Sequence, residues 1–198
     1  MQNNWPGVEE YDYFIELIRK ETFFAPGIIG VHVLNNMTFM KTAIIYASSH
    51  GTTEKVARQI QDGLGADSAS LINLKETRTV DLSLFDTLII GGSIHAGQMQ
   101  GRVRTFCKKN MVELLQKRVG LFMVGMNEPE FETEFNNAFP ELLRNHAITS
   151  KCVGGEFLFE KMNFIEKLIV RKVSGINTSI SKINEDKIAE LVNDVKGK

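Results

Sequence analysis

The sequence predicts an α/β fold: a doubly wound, five-stranded parallel sheet in the order 2-1-3-4-5, with helices on both faces to give three layers. Short apolar runs rich in β-branched residues are typical of strands buried on both faces. They alternate with segments whose apolar residues recur at helical spacing. Short crossovers of this kind require parallel strands, and their right-handedness leaves few topologies, of which this order is one. A chain of 198 residues, 43% hydrophobic and 24% charged, fits one domain.

The predicted strands and helices alternate from residue 42 onward. The first strand, residues 42–46, leads into a helix in which Val56, Ile60 and Leu64 recur every four residues. Pro140 is expected to kink or divide the helix marked by apolar residues between 131 and 142. The other predicted strands are residues 70–74, 87–91, 119–124 and 151–154, and the other predicted helices are residues 101–117 and a closing helix around 188–195.

Residues 1–39 do not fit this alternation. Residues 12–24 are predicted to form a helix and residues 28–34 a short strand, whereas the regular pattern starts at Met40. Two interpretations stay open, an in-frame upstream extension or a family-specific addition. In either case we expect residues 1–39 to be an N-terminal extension without chemistry and residues 40–198 to form the domain.

Charge and hydropathy exclude several classes of function. Residues 1–39 hold 2 of the 23 basic and 5 of the 24 acidic side chains, which leaves 21 basic and 19 acidic ones in the predicted domain. No basic stripe is interleaved with aromatics, so nucleic acid is not expected as a partner. The sequence has no bilayer-spanning apolar run and no signal-peptide pattern, so we expect a cytoplasmic protein.

Cysteines and histidines show no pattern of a metal site. Cys107 and Cys152 each lie in an apolar element, and we expect both to be buried free thiols. The 4 histidines have neither metal-ligand spacing nor cysteine partners. The sequence therefore predicts no metal ion.

The turn between the first strand and the first helix is rich in hydroxyl groups. It reads Ser48-Ser49-His50-Gly51-Thr52-Thr53. Unpaired N–H groups and the helix dipole make such a turn suitable for an anion, and the four hydroxyls add donors for phosphate oxygens. The Walker, dinucleotide and nucleophile-elbow motifs are absent. The alternative is that these residues only cap the helix.

Two further loops are expected at the same edge of the sheet, where the carboxyl ends of parallel strands meet. The loop after the third predicted strand runs from Gly92 to Gly101 without a charged residue, and the loop after the fourth runs from Gly125 to Pro129. A glycine-rich loop allows backbone amides to approach a flat ring with polar edges. The alternative is that the glycines only make turns.

The hydroxyl-rich turn resembles the phosphate loop of flavodoxins, a Ser/Thr-x-Thr-Gly-x-Thr pattern that holds the phosphate of FMN, with His50 at a position that is usually threonine. Gly92 to Gly97 most resembles the menaquinone-dependent protoporphyrinogen dehydrogenases of this superfamily, which carry Gly-x-Ser-Ile, a variable pair and Gly. The resemblance covers about residues 40–195. It implies FMN as cofactor, with the phosphate bound by Ser48, Ser49, His50, Gly51, Thr52 and Thr53, and the ring lined by Ser93, Ile94, His95, Ala96 and Gly97 and by Gly125, Met126, Asn127 and Glu128.

One departure from the flavodoxin pattern concerns the ring. Many flavodoxins stack it between a tryptophan and a tyrosine, whereas the loops here offer Ile94, His95 and Met126. We expect a less negative potential and weaker FMN binding, since a stacked aromatic contributes about 1 kcal/mol beyond its area. His95 is the candidate catalytic residue, for ring contact or proton delivery; the alternative is a packing role.

A segment at about residues 156–180 is longer than the corresponding connection in minimal flavodoxins. Its apolar residues follow helical spacing from Leu158 to Val173, with basic residues opposite. One interpretation is a helix folded onto the body. The other is a lid or a membrane-surface element, residues 157–173, that presents apolar side chains to a porphyrin or quinone. The resembling dehydrogenases carry an insertion of similar pattern.

The sequence therefore supports an FMN-dependent oxidoreductase, resembling protoporphyrinogen dehydrogenase, with a quinone or protein electron acceptor and a porphyrinogen as substrate. The alternative is a soluble flavodoxin that carries electrons between redox partners. Such carriers usually have strongly acidic docking surfaces, and the charge of +2 on residues 40–198 disfavours this alternative. A third alternative, a signalling module without flavin, lacks the expected aspartate after the third strand.

Overall fold

The computed structural model describes residues 41–95 and 97–197, apart from the side chain of Val173. The helix and strand predicted within residues 1–39 lie outside the described residues, as does Ala96.

Five parallel strands form the central sheet. They are β1 (Thr42–Tyr46), β2 (Ala69–Asn73), β3 (Thr87–His95), β5 (Arg118–Val124) and β6 (Thr149–Cys152), in the order β2-β1-β3-β5-β6. The predicted order is confirmed, because the additional strand β4 (Gln98–Met99) only pairs antiparallel with the end of β3. The carboxyl ends of β1, β3 and β5 meet at one edge.

Helices cover both faces of the sheet. The bounds are α1 (Thr52–Leu64), α2 (Gly101–Lys109), α3 (Met111–Leu114), α4 (Phe131–Ala138), α5 (Glu141–His146), α6 (Phe164–Ser174) and α7 (Glu185–Lys196). Pro140 separates α4 from α5, as predicted. The single helix predicted over 101–117 is wrong: it is divided at Asn110, whose side-chain amide donates to the Phe106 carbonyl at 2.9 Å.

Alternating residues of each strand supply two separate cores. On β1, Ile45 packs into the core beneath α2 to α5, while Ile44 packs into the core beneath α1 and α7. On β3, Ile90 packs into the first of these cores and Ile89 into the second. All four isoleucine side chains are fully buried. Three layers follow from this alternation, because each strand needs a covering helix on both sides.

Four predicted strands have different bounds, and two of them, β3 and β6, differ by more than one residue at an end. The third strand continues past residue 91 to His95, because β5 pairs with it as far as Ser93 and β4 pairs with Ile94 and His95. It then turns into β4, so the predicted glycine-rich loop is largely a β-hairpin with Gly97 at a left-handed φ of 75°. The last strand begins two residues earlier than predicted, at Thr149.

The segment after β6 differs most from its prediction. We define the insertion as residues 156–181: strand β7 (Glu156–Phe157), a 3-10 turn, helix α6 and strand β8 (Ile180–Ser181), with β7 and β8 paired antiparallel. The helical stripe expected from Leu158 is therefore helical only from Phe164 onward. The interpretation that this stripe packs on the body is also wrong, because its large side chains are exposed: Phe164, Ile165, Leu168 and Ile169.

The remaining predictions concern thiols, metals and membrane spans. Cys107 is buried and Cys152 only half-buried; both are free thiols, and burial raises their pKa to about 12 and about 11. Among the described residues, no group of three or more potential ligands could hold a metal ion. Nor is any helix in that part of the chain long and apolar enough to cross a membrane.

Candidate functional site

The hydroxyl-rich turn forms the start of α1. Gly51 precedes the helix with φ 99°, a left-handed conformation that a side chain would strain. Its N–H donates to Ser48 Oγ at 3.1 Å, and its carbonyl accepts from the Lys55 N–H at 2.9 Å. The side chains of Thr52 and Thr53 are buried at the first turn. The turn therefore combines a helix N-terminus with fixed hydroxyls, as the sequence predicted.

The insertion brings charged groups to this turn. Lys161 Nζ lies 3.3 Å from the position that a Cβ on Gly51 would occupy. Within the described ranges, no carboxylate forms an ion pair with this ammonium group. Sequence reasoning assigned only neutral donors to the turn and missed Lys161, because the contact joins segments far apart along the chain.

Glu156 places a carboxylate beside the same turn. Its Oε1 accepts from Lys55 Nζ at 2.7 Å and from Ser181 Oγ at 2.9 Å. Although burial opposes ionisation, these donors and the Thr52 hydroxyl hold the pKa of Glu156 below its usual value. The Glu156 carboxylate is thus ionised and uses one of the predicted phosphate donors.

The end of β3 and the hairpin place a second polar group near the turn. His95 Nε2 lies 2.9 Å from Ser93 Oγ and 3.4 Å from Gln100 Nε2. Gln100 Nε2 also donates to Ser49 Oγ at 3.2 Å, which links this group to the hydroxyl-rich turn. Gln100 lay in the predicted loop but was not among the predicted site residues.

Two histidines face each other across this junction. The rings of His50 and His95 have centroids 6.2 Å apart and are tilted by 40°. His50 Nε2 also lies 3.4 Å from Glu166 Oε2 on α6. Although the His95 side chain is exposed at its surface, partial burial of the residue lowers its pKa, with a smaller contribution from positive charge on His50, while Glu166 opposes this shift. The neutral form of His95 is therefore favoured.

The third predicted loop lies beside the second. The Cβ position of Gly125 is 3.9 Å from Ile94 Cγ1, and the Gly125 N–H donates to the Gly154 carbonyl at 2.9 Å. Met126 follows in the same loop and is half-buried. The backbones of the three loops thus meet at one edge, as predicted.

Two polar residues of the third loop have partners away from the histidine pair. Glu128 Oε1 lies 3.3 Å from Lys182 Nζ, and the Asn127 side chain bonds to Glu134. Burial raises the pKa of Glu134, whose Oε2 is buried without a hydrogen-bond partner among the described residues. Glu134 was not predicted as a site residue; an acidic side chain on the apolar face of a helix was the available signal.

The hydroxyl-rich turn fits a phosphate group such as that of FMN. A Cβ on Gly51 would be strained and would meet Lys161, so the turn leaves room for a small group beside a cation. The hydroxyls of Ser48, Thr52 and Thr53 are held there by burial. Among the described residues, Glu156 is the one anion that contacts a hydroxyl of the turn itself, that of Thr52.

A match to a family model identifies the family of this chain. The family model described as Flavodoxin domain matches residues 43–182, which includes the three loops and the whole insertion. The chain belongs to the flavodoxin domain family. No curated protein matches it.

Solved flavodoxin structures resemble this flavodoxin domain only distantly. A flavodoxin from Streptococcus pneumoniae is 17% identical, with 79% of this chain and 97% of that chain covered and a TM-score of 0.49. A Fusobacterium nucleatum flavodoxin bound to flavin mononucleotide is 15% identical, with 79% and 97% covered and a TM-score of 0.46. Likenesses this distant carry no functional argument.

Proposed function

We propose that this flavodoxin domain binds FMN at the edge formed by β1, β3 and β5 and serves in electron transfer. The observation that carries the proposal is the hydroxyl-rich turn, where Gly51 is left-handed and the Lys161 ammonium group stands beside it. When bound, FMN supplies one- and two-electron redox chemistry that protein side chains lack.

The chain's own residues divide into two tasks. The hydroxyls of Ser48, Ser49 and Thr53 would hold the phosphate, with Gly51 giving close backbone approach and Lys161 the positive charge; Thr52 would join them on release from Glu156. Residues from Ser93 to Gly97 and from Gly125 to Glu128 would hold the ring, and the half-buried Ile94 and Met126 limit water there. Both tasks use residues of the three loops that meet at this edge.

His95 is the proposed proton-holding residue at this edge. His95 Nε2 lies within hydrogen-bond distance of Ser93 Oγ and Gln100 Nε2; with the Gln100 amide nitrogen as donor, the neutral ring accepts at Nε2 and holds its proton at Nδ1. His95→Gln should then slow a proton-coupled reduction by a larger factor than it weakens FMN binding. Equal reduction rates for both proteins would assign His95 to packing.

We further propose a porphyrinogen of the protoporphyrinogen class as the electron donor, and a quinone or a redox protein as the acceptor. Two features support this choice: the resemblance of Gly92 to Gly97 to the menaquinone-dependent dehydrogenases, and an exposed apolar helix beside the site. In each turnover the porphyrinogen loses two hydrogens and one quinone gains them as quinol, so complete oxidation to the porphyrin takes three turnovers. A soluble carrier that passes electrons between proteins is the competing function.

FMN retention tests the first proposal. The double variant Gly51→Val with Thr53→Val should lose FMN after reconstitution, as seen in the visible flavin absorbance of gel-filtered protein. Thr87→Val is the matched control, because Thr87 is equally buried but lies at the opposite end of β3. Retention of FMN by the double variant would exclude the turn as the phosphate site.

An anaerobic reduction assay tests the choice of substrate. Bleaching of the flavin by protoporphyrinogen, with recovery on adding a menaquinone analogue, is the expected result. A bound flavin that responds to neither compound but exchanges electrons with a redox protein would favour the carrier function.

A further inference from the structure

The outward face of α6 exposes large apolar side chains next to the candidate site. Phe164 is 78% exposed, Ile165 67%, Leu168 57% and Ile169 53%. At 100° per residue these four positions share one side of the helix. Helices of folded proteins normally turn such a face toward a core, whereas no part of the chain between residues 41 and 197 that the structure describes covers this one.

Specific contacts hold α6 in this orientation. Asn163 and Glu166 form a reciprocal capping box at its start, and Gly175 ends it in a left-handed conformation. On the inner side, Glu166 reaches His50 and the Arg171 guanidinium lies 5.8 Å over the buried Phe159 ring. The apolar face is therefore turned outward by contacts of the inner face with the site.

The charges on this element favour an anionic partner. Lys167, Arg171 and Lys172 lie on α6, against Glu166 alone among acidic residues of the helix. Even with this carboxylate counted, α6 has three basic residues against one acidic residue, and Arg171 and Lys172 are exposed.

We propose that the outward face of α6 docks on an anionic lipid bilayer surface, with its four apolar side chains among the acyl chains and its basic residues at the headgroups. An interfacial helix needs only an apolar face and flanking cations. The excess of basic over acidic residues on α6 favours an anionic lipid surface over a neutral apolar groove of a protein partner. Surface docking also agrees with the absence of a membrane-spanning helix from the described residues.

Docking would place the candidate site next to the lipid phase. Glu166 on the inner side of α6 contacts His50, which faces His95. A lipid-soluble quinone would then meet the protein beside these loops. This consequence for electron transfer rests on the proposed function, whereas the docking itself does not require FMN.

Co-sedimentation of the full chain with vesicles tests the proposal. The protein should bind vesicles of phosphatidylcholine with about 30% phosphatidylglycerol at least about tenfold more tightly than phosphatidylcholine alone, and added salt should weaken binding. Phe164→Ser with Ile165→Ser should reduce binding about tenfold or more, since both substitutions remove apolar area from the face that enters the bilayer. Lys167→Gln with Lys172→Gln should remove the preference for anionic lipid.

Leu84→Ser is the matched control, because Leu84 is 56% exposed but lies outside the insertion; it should bind vesicles as the unchanged protein does. Flavin content, measured on the same samples, should not change in any of these variants, which separates this test from that of FMN binding. Absence of vesicle binding, or equal binding after Phe164→Ser with Ile165→Ser, would overturn the proposal. Self-association through this face without vesicle binding would overturn it in favour of a dimer.

Discussion

The central sheet and the insertion carry similar apolar patterns but use them differently. Phe122 on β5 is completely buried between the sheet and its covering helices, whereas Phe164 on α6 is 78% exposed. Strand β5 has a neighbouring strand at each edge and helices on both faces of the sheet. Helix α6 contacts the other described residues with its inner side. An apolar pattern in the sequence therefore shows which residues share one face of an element. Whether that face is buried in a core depends on its tertiary neighbours.

The largest effect is expected in the sheet. Phe122→Ala should lower the free energy of unfolding by about 3–5 kcal/mol, because it removes a fully buried ring and leaves a cavity among packed neighbours. Urea denaturation followed by circular dichroism measures this loss. A loss below about 1 kcal/mol would show that β5 is not in the core.

The junction between the sheet and the insertion should give the second largest effect. Gly154 has φ 69°, and a Cβ there would lie 1.9 Å from the Lys182 carbonyl oxygen. Gly154→Ala should therefore cost about 2 kcal/mol or more in unfolding free energy. Gly175→Ala is the matched control: its φ is 70° but no atom lies within 4 Å, so only the backbone strain remains. Equal losses in the two variants would contradict the close contact at the junction.

The contact of the insertion with the hydroxyl-rich turn should have a smaller effect, on ligand affinity. Lys161→Gln should raise the Kd for FMN about fivefold, because it removes one cation beside the phosphate in a partly solvated place. Fluorescence titration with FMN and with riboflavin measures the difference. Riboflavin lacks the phosphate and should bind both proteins equally.

Lys172→Gln is the control for Lys161→Gln, since it removes an equal charge from the same insertion on an exposed position of α6. FMN affinity should not change in this variant. An equal decrease of FMN affinity in the two variants would mean that the effect comes from the total charge of the insertion and not from the contact with Gly51.

The histidine pair should make stability depend weakly on pH. The pKa of His95 is lowered in the fold, so below the ordinary value of 6.5 the unfolded chain takes up a proton before the folded chain does. Stability is therefore lost as the pH falls below 6.5, by well under about 1 kcal/mol at this partly solvated position. Urea midpoints at about pH 7.5 and about pH 5.5 for the unchanged protein and His95→Gln measure it. On going to the lower pH, the urea midpoint of the unchanged protein should fall by more than that of His95→Gln.

The sequence predicted the sheet well because each strand pattern is local. Thr42–Tyr46 is an unbroken apolar run, and the structure has this strand with the predicted bounds. The end of β3 was missed, since its extension to His95 depends on pairing with β5 and then with β4. The division at Asn110 was missed for a different reason: it depends on one side-chain hydrogen bond to Phe106.

The candidate site was predicted only in its local parts. The turn from Ser48 to Thr53 is contiguous, and its hydroxyls and glycine point to an anion by themselves. The contacts of Lys161 with Gly51 and of Glu166 with His50 join distant segments, and no periodicity in the sequence encodes them. Basic residues had been noted opposite the apolar stripe, but their position relative to the turn required the tertiary structure.

The smallest effect on stability is expected on the exposed face of α6. Phe164→Ala should change the unfolding free energy by less than about 0.5 kcal/mol, because the ring is already in contact with water and its removal leaves no cavity. The same phenylalanine-to-alanine change at Phe122 differs only in its surroundings, so the two urea midpoints measure the effect of tertiary neighbours directly. A loss at Phe164 near that at Phe122 would mean that α6 packs against another part of the chain in solution, and the outward face would then be core and not a docking surface.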